Sequence, residues 1–161
     1  MEKRADRRRS NRIMNVLKQA KRLAQTYREL TGKPLGITGE VAEYEAARIL
    51  KGLILAPART PGYDAIEDIK GVGRKLQIKG RCLLPGCKPG QRIGRIDITK
   101  DFDAVLLVLL NENLEATAIY EAPRDAVLAA LKVPGSKSRN VRGALAVSKF
   151  RAISTPRWLK A

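Results

Sequence analysis

Residues 104–110 read AVLLVLL, seven apolar residues in a row. The run is too short for a typical helix, and its continuous apolarity leaves no face for water. It therefore predicts a strand buried on both sides at the centre of a sheet. Such a strand needs covering layers, and the flanking sequence supplies them. Ile13, Leu17, Ala20, Leu23 with Ala24, Tyr27 and Leu30 recur at helical spacing over Asn11 to Leu30, with Lys and Arg on the remaining faces. Gly32, Pro34 and Gly36 end that helix. A second helix is expected from Thr38, read as its N-cap, to the stop at Gly52, and a third from Pro123 through Leu131. Short apolar runs at 53–58, 63–66, 75–79 and 116–120 read as strands, with Gly71 and Gly73 or Asn111 and Asn113 in the turns. The order is helix, three strands, connection, two strands, helix, which predicts an α/β mixed sheet with helices packed against it.

The ends differ from this middle in charge. The chain carries 32 Lys and Arg against 16 Asp and Glu, a net charge of +16. Residues 1–34 hold 11 basic and 3 acidic residues, residues 132–161 hold 8 and none, and the middle holds 13 of each. Residues 1–10, with Arg7, Arg8 and Arg9 and almost nothing apolar, are expected to form a mobile arm ahead of the first helix. Residues 35–161 are expected to form one domain with a basic C-terminal extension from about residue 132, in which ALAVSKFRAI reads as a strand or a short helix. Two basic ends around a neutral centre suit a polyanion, most simply the phosphates of a nucleic acid. With 2 Phe, 4 Tyr and 1 Trp there are few platforms on which single-stranded bases could stack, so backbone-directed binding to duplex or branched DNA is the expectation.

Other classes are excluded more simply. No apolar run is long enough to span a bilayer, and an intracellular, cytoplasmic setting is expected, nucleoid-associated if the source is bacterial. Cys82 and Cys87, in a chain without histidine, cannot complete a structural zinc site and are read as free thiols. The 81–103 connection is rich in glycine and proline and is expected to be a mobile loop near the site, with a helical turn at Ile98 to Phe102.

The chemistry concentrates in Gly62 to Arg81, GYDAIEDIKGVGRKLQIKGR. Asp64 stands at the edge of one apolar run, and thirteen positions on Gln77, Ile78 and Lys79 follow in the next. A strand alternates its faces, so Gln77 and Lys79 share one face while Leu76, Ile78 and Gly80 share the other. On the second helix, Glu43 flanks the apolar stripe formed by Ala42, Ala46, Ile49, Leu50 and Leu53, whereas Glu40 lies well round the helix from it. Of the two, Glu43 is the better placed to reach a site at the sheet.

Asp64 with the Gln77-Ile78-Lys79 strand, after a helix glutamate and before a hydrophobic strand, resembles the signature of the PD-(D/E)XK nuclease superfamily, in the variant with glutamine for the second acid. Tyr63 stands where the motif's proline would be. The resemblance covers about residues 38–131. It implies a restriction endonuclease-like fold and a magnesium- or manganese-dependent phosphodiesterase acting on DNA. Asp64 would be the principal metal ligand and Gln77 and the Ile78 carbonyl would complete the shell. Lys79 would orient the attacking water or stabilise the phosphate, and Glu43 or Glu40 would assist from the helix. Arg81, Arg92 and Arg95 in the long connection, Lys137, Arg139, Asn140 and Arg142 after Pro134, and Arg7, Arg8 and Arg9 are the expected phosphate contacts. A non-catalytic nucleic-acid-binding protein of the same fold is the alternative, and a homodimer is compatible with either.

Overall fold

The computed structural model describes residues 2–161, with side chains from Arg4 onward. The elements are α1 (Glu2–Thr31), α2 (Thr38–Ile49), β1 (Leu53–Leu55), β2 (Ala65–Ile69), β3 (Val72–Cys82), β4 (Ala104–Leu110), β5 (Ala116–Pro123), α3 (Arg124–Lys132), α4 (Lys137–Asn140), α5 (Val147–Ala152) and β6 (Thr155–Leu159). The six strands form one sheet in sequence order. Only β3 and β4 run parallel; every other neighbouring pair is antiparallel. The sheet is therefore mixed, as the order of elements predicted.

Every residue of β4 is buried, because the strand has a neighbour on each side and a core on each face. Ala104, Leu106, Val108 and Leu110 point into one core with Leu76 and Ile78, against Leu17 and Ala24 of α1 and Val41, Ala42 and Ala46 of α2. Val105, Leu107 and Leu109 point into the other, with Val127, Ala130 and Leu131 of α3 and Val147 and Phe150 of α5. A parallel pair needs a crossover, and residues 83–103 supply it. Ile93, Ile96 and Phe102 bury themselves in the second core. This connection is thus anchored rather than loose, and it contains a turn at Ile98 and Thr99 but no helix. No helix among the described residues is long and apolar enough to cross a membrane.

Several expectations change. Residues 2–10 are not an arm but the start of α1, since Glu, Lys, Arg and Ala are good helix formers and no Gly or Pro interrupts them before Gly32. Thr38 is the first residue of α2 rather than its cap; Ile37 caps it, without a side-chain bond. Pro123 likewise caps α3 from an extended conformation. The basic C-terminal extension from about residue 132 forms α4, α5 and β6, and β6 closes the sheet against β5.

Two ion clusters fasten this frame. Buried Glu45 of α2 accepts from Lys21 of α1 at 3.1 Å and from Arg48 at 2.8 Å. Burial alone would raise its carboxyl, but the hydrogen bonds from Arg48 and Lys21 outweigh that and hold it below its ordinary value. Across the sheet, Arg157 of β6 bonds Glu67 of β2 at 2.6 Å and also Glu121 of β5, while Arg74 of β3 pairs with the same two carboxylates. The Arg157 bonds hold the Glu67 carboxyl below the usual range.

Candidate active site

The pairing of β2 with β3 stops at Ala65 and Leu76. The Asp64 amide still donates to the Leu76 carbonyl at 2.8 Å, and its carbonyl accepts from Ala56 at 2.9 Å. Beyond that the chain leaves β3, and the Asp64 side chain takes over where the ladder would have continued. Its Oδ2 accepts from the Ile78 amide at 2.6 Å. Gly62 makes the departure possible. It holds φ +95, and a Cβ there would meet Asp101 O and Lys100 Cβ at 3.1 Å, so the turn into Asp64 lies against the end of the crossover.

From Gln77 to Cys82, β3 is paired only with β4. A residue's N–H and C=O leave a strand on the same side, so the Ile78 carbonyl is directed with its amide toward Asp64. Helix α2 packs on the face of β3 that carries Ile78 and Gly80. At Gly80 an added Cβ would lie 2.6 Å from Ala42 Cβ and 2.8 Å from Thr38 O, so only glycine lets the helix come this close. That approach carries Glu43 into the site. Its carboxyl is pushed up to about 7, first by burial and then by the negative charges of Asp64 and Glu40, with Lys79 opposing them. Glu40 itself is exposed and acts only through its charge.

Gln77 and Lys79 share one face, as strand alternation requires, but it is not an open one. Gln77 is 5% exposed, and its Oε1 is buried with no hydrogen-bond partner. Lys79 is half-buried. Strand alternation places Gln77 on one face, whereas its burial comes from Val105 beside it and the second core around it, neighbours that local sequence does not reveal.

Sequence reasoning missed the rim of the site. The Lys75 ammonium pairs with Asp101 and lies 5.6 Å from the Tyr63 ring centroid, and the Lys75 amide donates to Asp103 at 2.7 Å. The signal was available only in the register, which sets Lys75 opposite Ile66 at the mouth of the β2–β3 pairing.

The expected phosphate contacts divide. Arg92 donates to Ala144 O at 2.8 Å and Ser136 Oγ at 3.1 Å; Arg139 donates to Pro134 O at 2.6 Å. Asn140 donates to Leu131 O and Val133 O and accepts from Gly135. These three organise the loop after α3 rather than standing free for a ligand. Arg81 donates to Gln91, while its Nε is buried without a partner. Arg95, Lys137 and Arg142 are exposed, as are Arg7, Arg8 and Arg9 on α1.

Among the described residues no three His, Cys, Asp or Glu side chains gather as a metal site. The oxygen atoms that could hold a cation are instead of three kinds: the Asp64 carboxylate, the Ile78 carbonyl and the orphaned Gln77 Oε1. All are hard donors, and one carboxylate with neutral oxygens and water suits magnesium better than zinc. Compared with protein-family models and with curated protein sequences, the chain matches none.

Proposed function

We propose that this protein is a divalent-metal-dependent phosphodiesterase of the PD-(D/E)XK, restriction endonuclease-like type, acting on duplex or branched DNA in the cytoplasm or on the nucleoid. One observation carries the reading: a buried Gln77 oxygen without a partner stands on the strand that Asp64 caps, beside the strand position of Lys79. An orphaned buried carbonyl costs on the order of 1–3 kcal/mol, and a cation bound there would relieve it. Magnesium or manganese, when bound, would supply charge neutralisation at the phosphate. Asp64 would hold the cation with Gln77 and the Ile78 carbonyl. Lys79 would orient a water or stabilise the phosphate. Glu43, whose carboxyl changes charge near neutral pH, would take up or release a proton at its own oxygen and balance the local charge. The net charge of +16 draws in the polyanion.

The test is cleavage of linear and branched DNA by purified protein with magnesium or manganese, alongside Asp64→Asn and Lys79→Ala. Both variants should lose cleavage while keeping salt-sensitive binding. Equal cleavage by all three proteins overturns the assignment. A second reading, DNA binding without cleavage, is favoured by the neutrality of Gln77 and by the Asp64 oxygen already committed to the Ile78 amide. It predicts binding that is indifferent to metal and to both substitutions, and no cleavage by the unaltered protein.

A further inference from the structure

Helix α1 shows three faces. Leu17 and Ala24 pack into the core, Lys21 bonds Glu45, and Arg28 donates to Glu112 O at 2.8 Å, so that stripe is docked on the domain. About 100° per residue separates from it a second stripe, roughly a quarter turn away, formed by Ile13, Val16, Ala20, Leu23, Tyr27 and Leu30. Their spacing is 3, 4, 3, 4, 3, the a/d repeat of a coiled coil. Most of its bulk is open: Val16 is 63% exposed, Leu23 64%, Leu30 81% and Tyr27 39%, while Ile13 and Ala20 are partly covered.

We propose that this seam pairs with α1 of a second copy of the chain, antiparallel about a two-fold axis between residues 21 and 22. In that register an a residue meets a d residue in every layer. Ile13 faces Leu30 of the second copy, an equal pair, while Val16 faces Tyr27 and Ala20 faces Leu23, so the two smaller side chains each meet a larger one. A parallel pair would set Ala20 on Ala20 and Tyr27 on Tyr27, leaving one layer thin and another overfull. Charge favours the same choice. The antiparallel pair holds the two Arg7–Arg9 runs about 40 Å apart at 1.5 Å per residue, whereas a parallel pair sets them abreast. It also brings Arg12 beside the last turn of the second copy, where Glu29 and the terminal carbonyls are negative. The proposal does not depend on the nuclease reading. If both hold, the assembly carries two cleavage sites related by two-fold symmetry, the arrangement that suits a substrate with two strands.

The experiment is light scattering on the full chain after nuclease treatment, in roughly 0.5 M salt so that phosphate contacts are screened. The expected mass is twice the 17.8 kDa of one chain, and Leu23→Glu, at an exposed position, should return it to one chain with an unchanged circular dichroism spectrum. A monomeric mass up to about 100 µM, where a micromolar association would be evident, overturns the proposal, as does a dimer that survives Leu23→Glu. Orientation is read with a short bis-maleimide in a background where Cys82 and Cys87 are serine. I13C mixed with L30C should crosslink and I13C alone should not; the reverse pattern overturns the antiparallel arrangement.

Discussion

Strands β2 and β3 carry two clusters of charge built on opposite plans. Glu67 and Glu121 each face both Arg74 and Arg157, two carboxylates to two guanidiniums, with the oxygens taken up in hydrogen bonds. Just before β2, Asp64 lies within electrostatic reach of Glu43 on α2, and the Lys79 charge opposes it only at a distance. Gln77 on β3 carries a buried oxygen without a donor, and burial followed by the charges of Asp64 and Glu40 pushes the Glu43 carboxyl up to about 7. The first is built on buried Glu67, whereas in the second only Gln77 is buried and Asp64, Glu43 and Lys79 are half-buried. The first shows that this fold satisfies buried charge when the charge serves the fold alone. On the proposed reading, a cation and an anionic ligand would complete the second.

The largest effect that would break this contrast is expected in the proposed DNA cleavage. Asp64→Asn keeps an oxygen for the Ile78 amide but removes the charge, and it should lower DNA cleavage by at least about 10²-fold while moving the unfolding midpoint little. A large loss of stability instead would make Asp64 a structural acid like Glu67. Next, Arg157→Met leaves Glu67 and Glu121 with one guanidinium between them, and unfolding in urea should show a loss of about 3 kcal/mol, the lower end for a broken buried pair because Arg157 is partly exposed. Cleavage by this variant, measured well below its midpoint, should be retained. Gly80→Ala forces α2 off β3 and should cost about 1–3 kcal/mol together with part of the cleavage rate, because Glu43 moves with the helix.

The smallest effect is in pH, and its sign differs between the clusters. Glu67 is held below its ordinary value, so its contribution to stability is present above that value and is lost as pH falls through the folded one. Glu43 is raised from 4.5 to about 7, so the folded state binds the extra proton between those values and metal-free stability declines as pH rises across that window. Midpoints measured from pH 4 to 8.5 should fall at both ends. Arg157→Met should flatten the acid limb and Glu43→Gln the neutral limb. A Glu43→Gln protein with an unchanged neutral limb would show that neither burial nor the neighbouring carboxylates hold the Glu43 carboxyl above its ordinary value.

What the sequence discloses follows the range of the interactions involved. AVLLVLL announces β4 because its burial is written in consecutive residues, and helical geometry alone separates Glu43 from Glu40. Alternation places Gln77 and Lys79 on one face. It does not reveal that Gln77 is buried, because Val105 and the second core that enclose it come from distant parts of the chain. β6 was hidden for the same reason: TPRWL carries a proline and an arginine, and what fixes it is the pairing of Arg157 with carboxylates on β2 and β5. The arginines assigned to phosphate were read by charge, yet Arg92 and Arg139 spend theirs on backbone carbonyls, which composition does not show.

The one parallel pair in the sheet also has a kinetic consequence. β2 and β3 form a hairpin with a tight turn, so Asp64 and the Ile78 amide can meet early. Gln77 acquires its surroundings only when β4 docks, after the whole 83–103 crossover has been closed and its loop entropy offset by burial. The metal affinity proposed for the site should therefore appear in the slow phase of refolding, together with the buried core, rather than with the first hairpin.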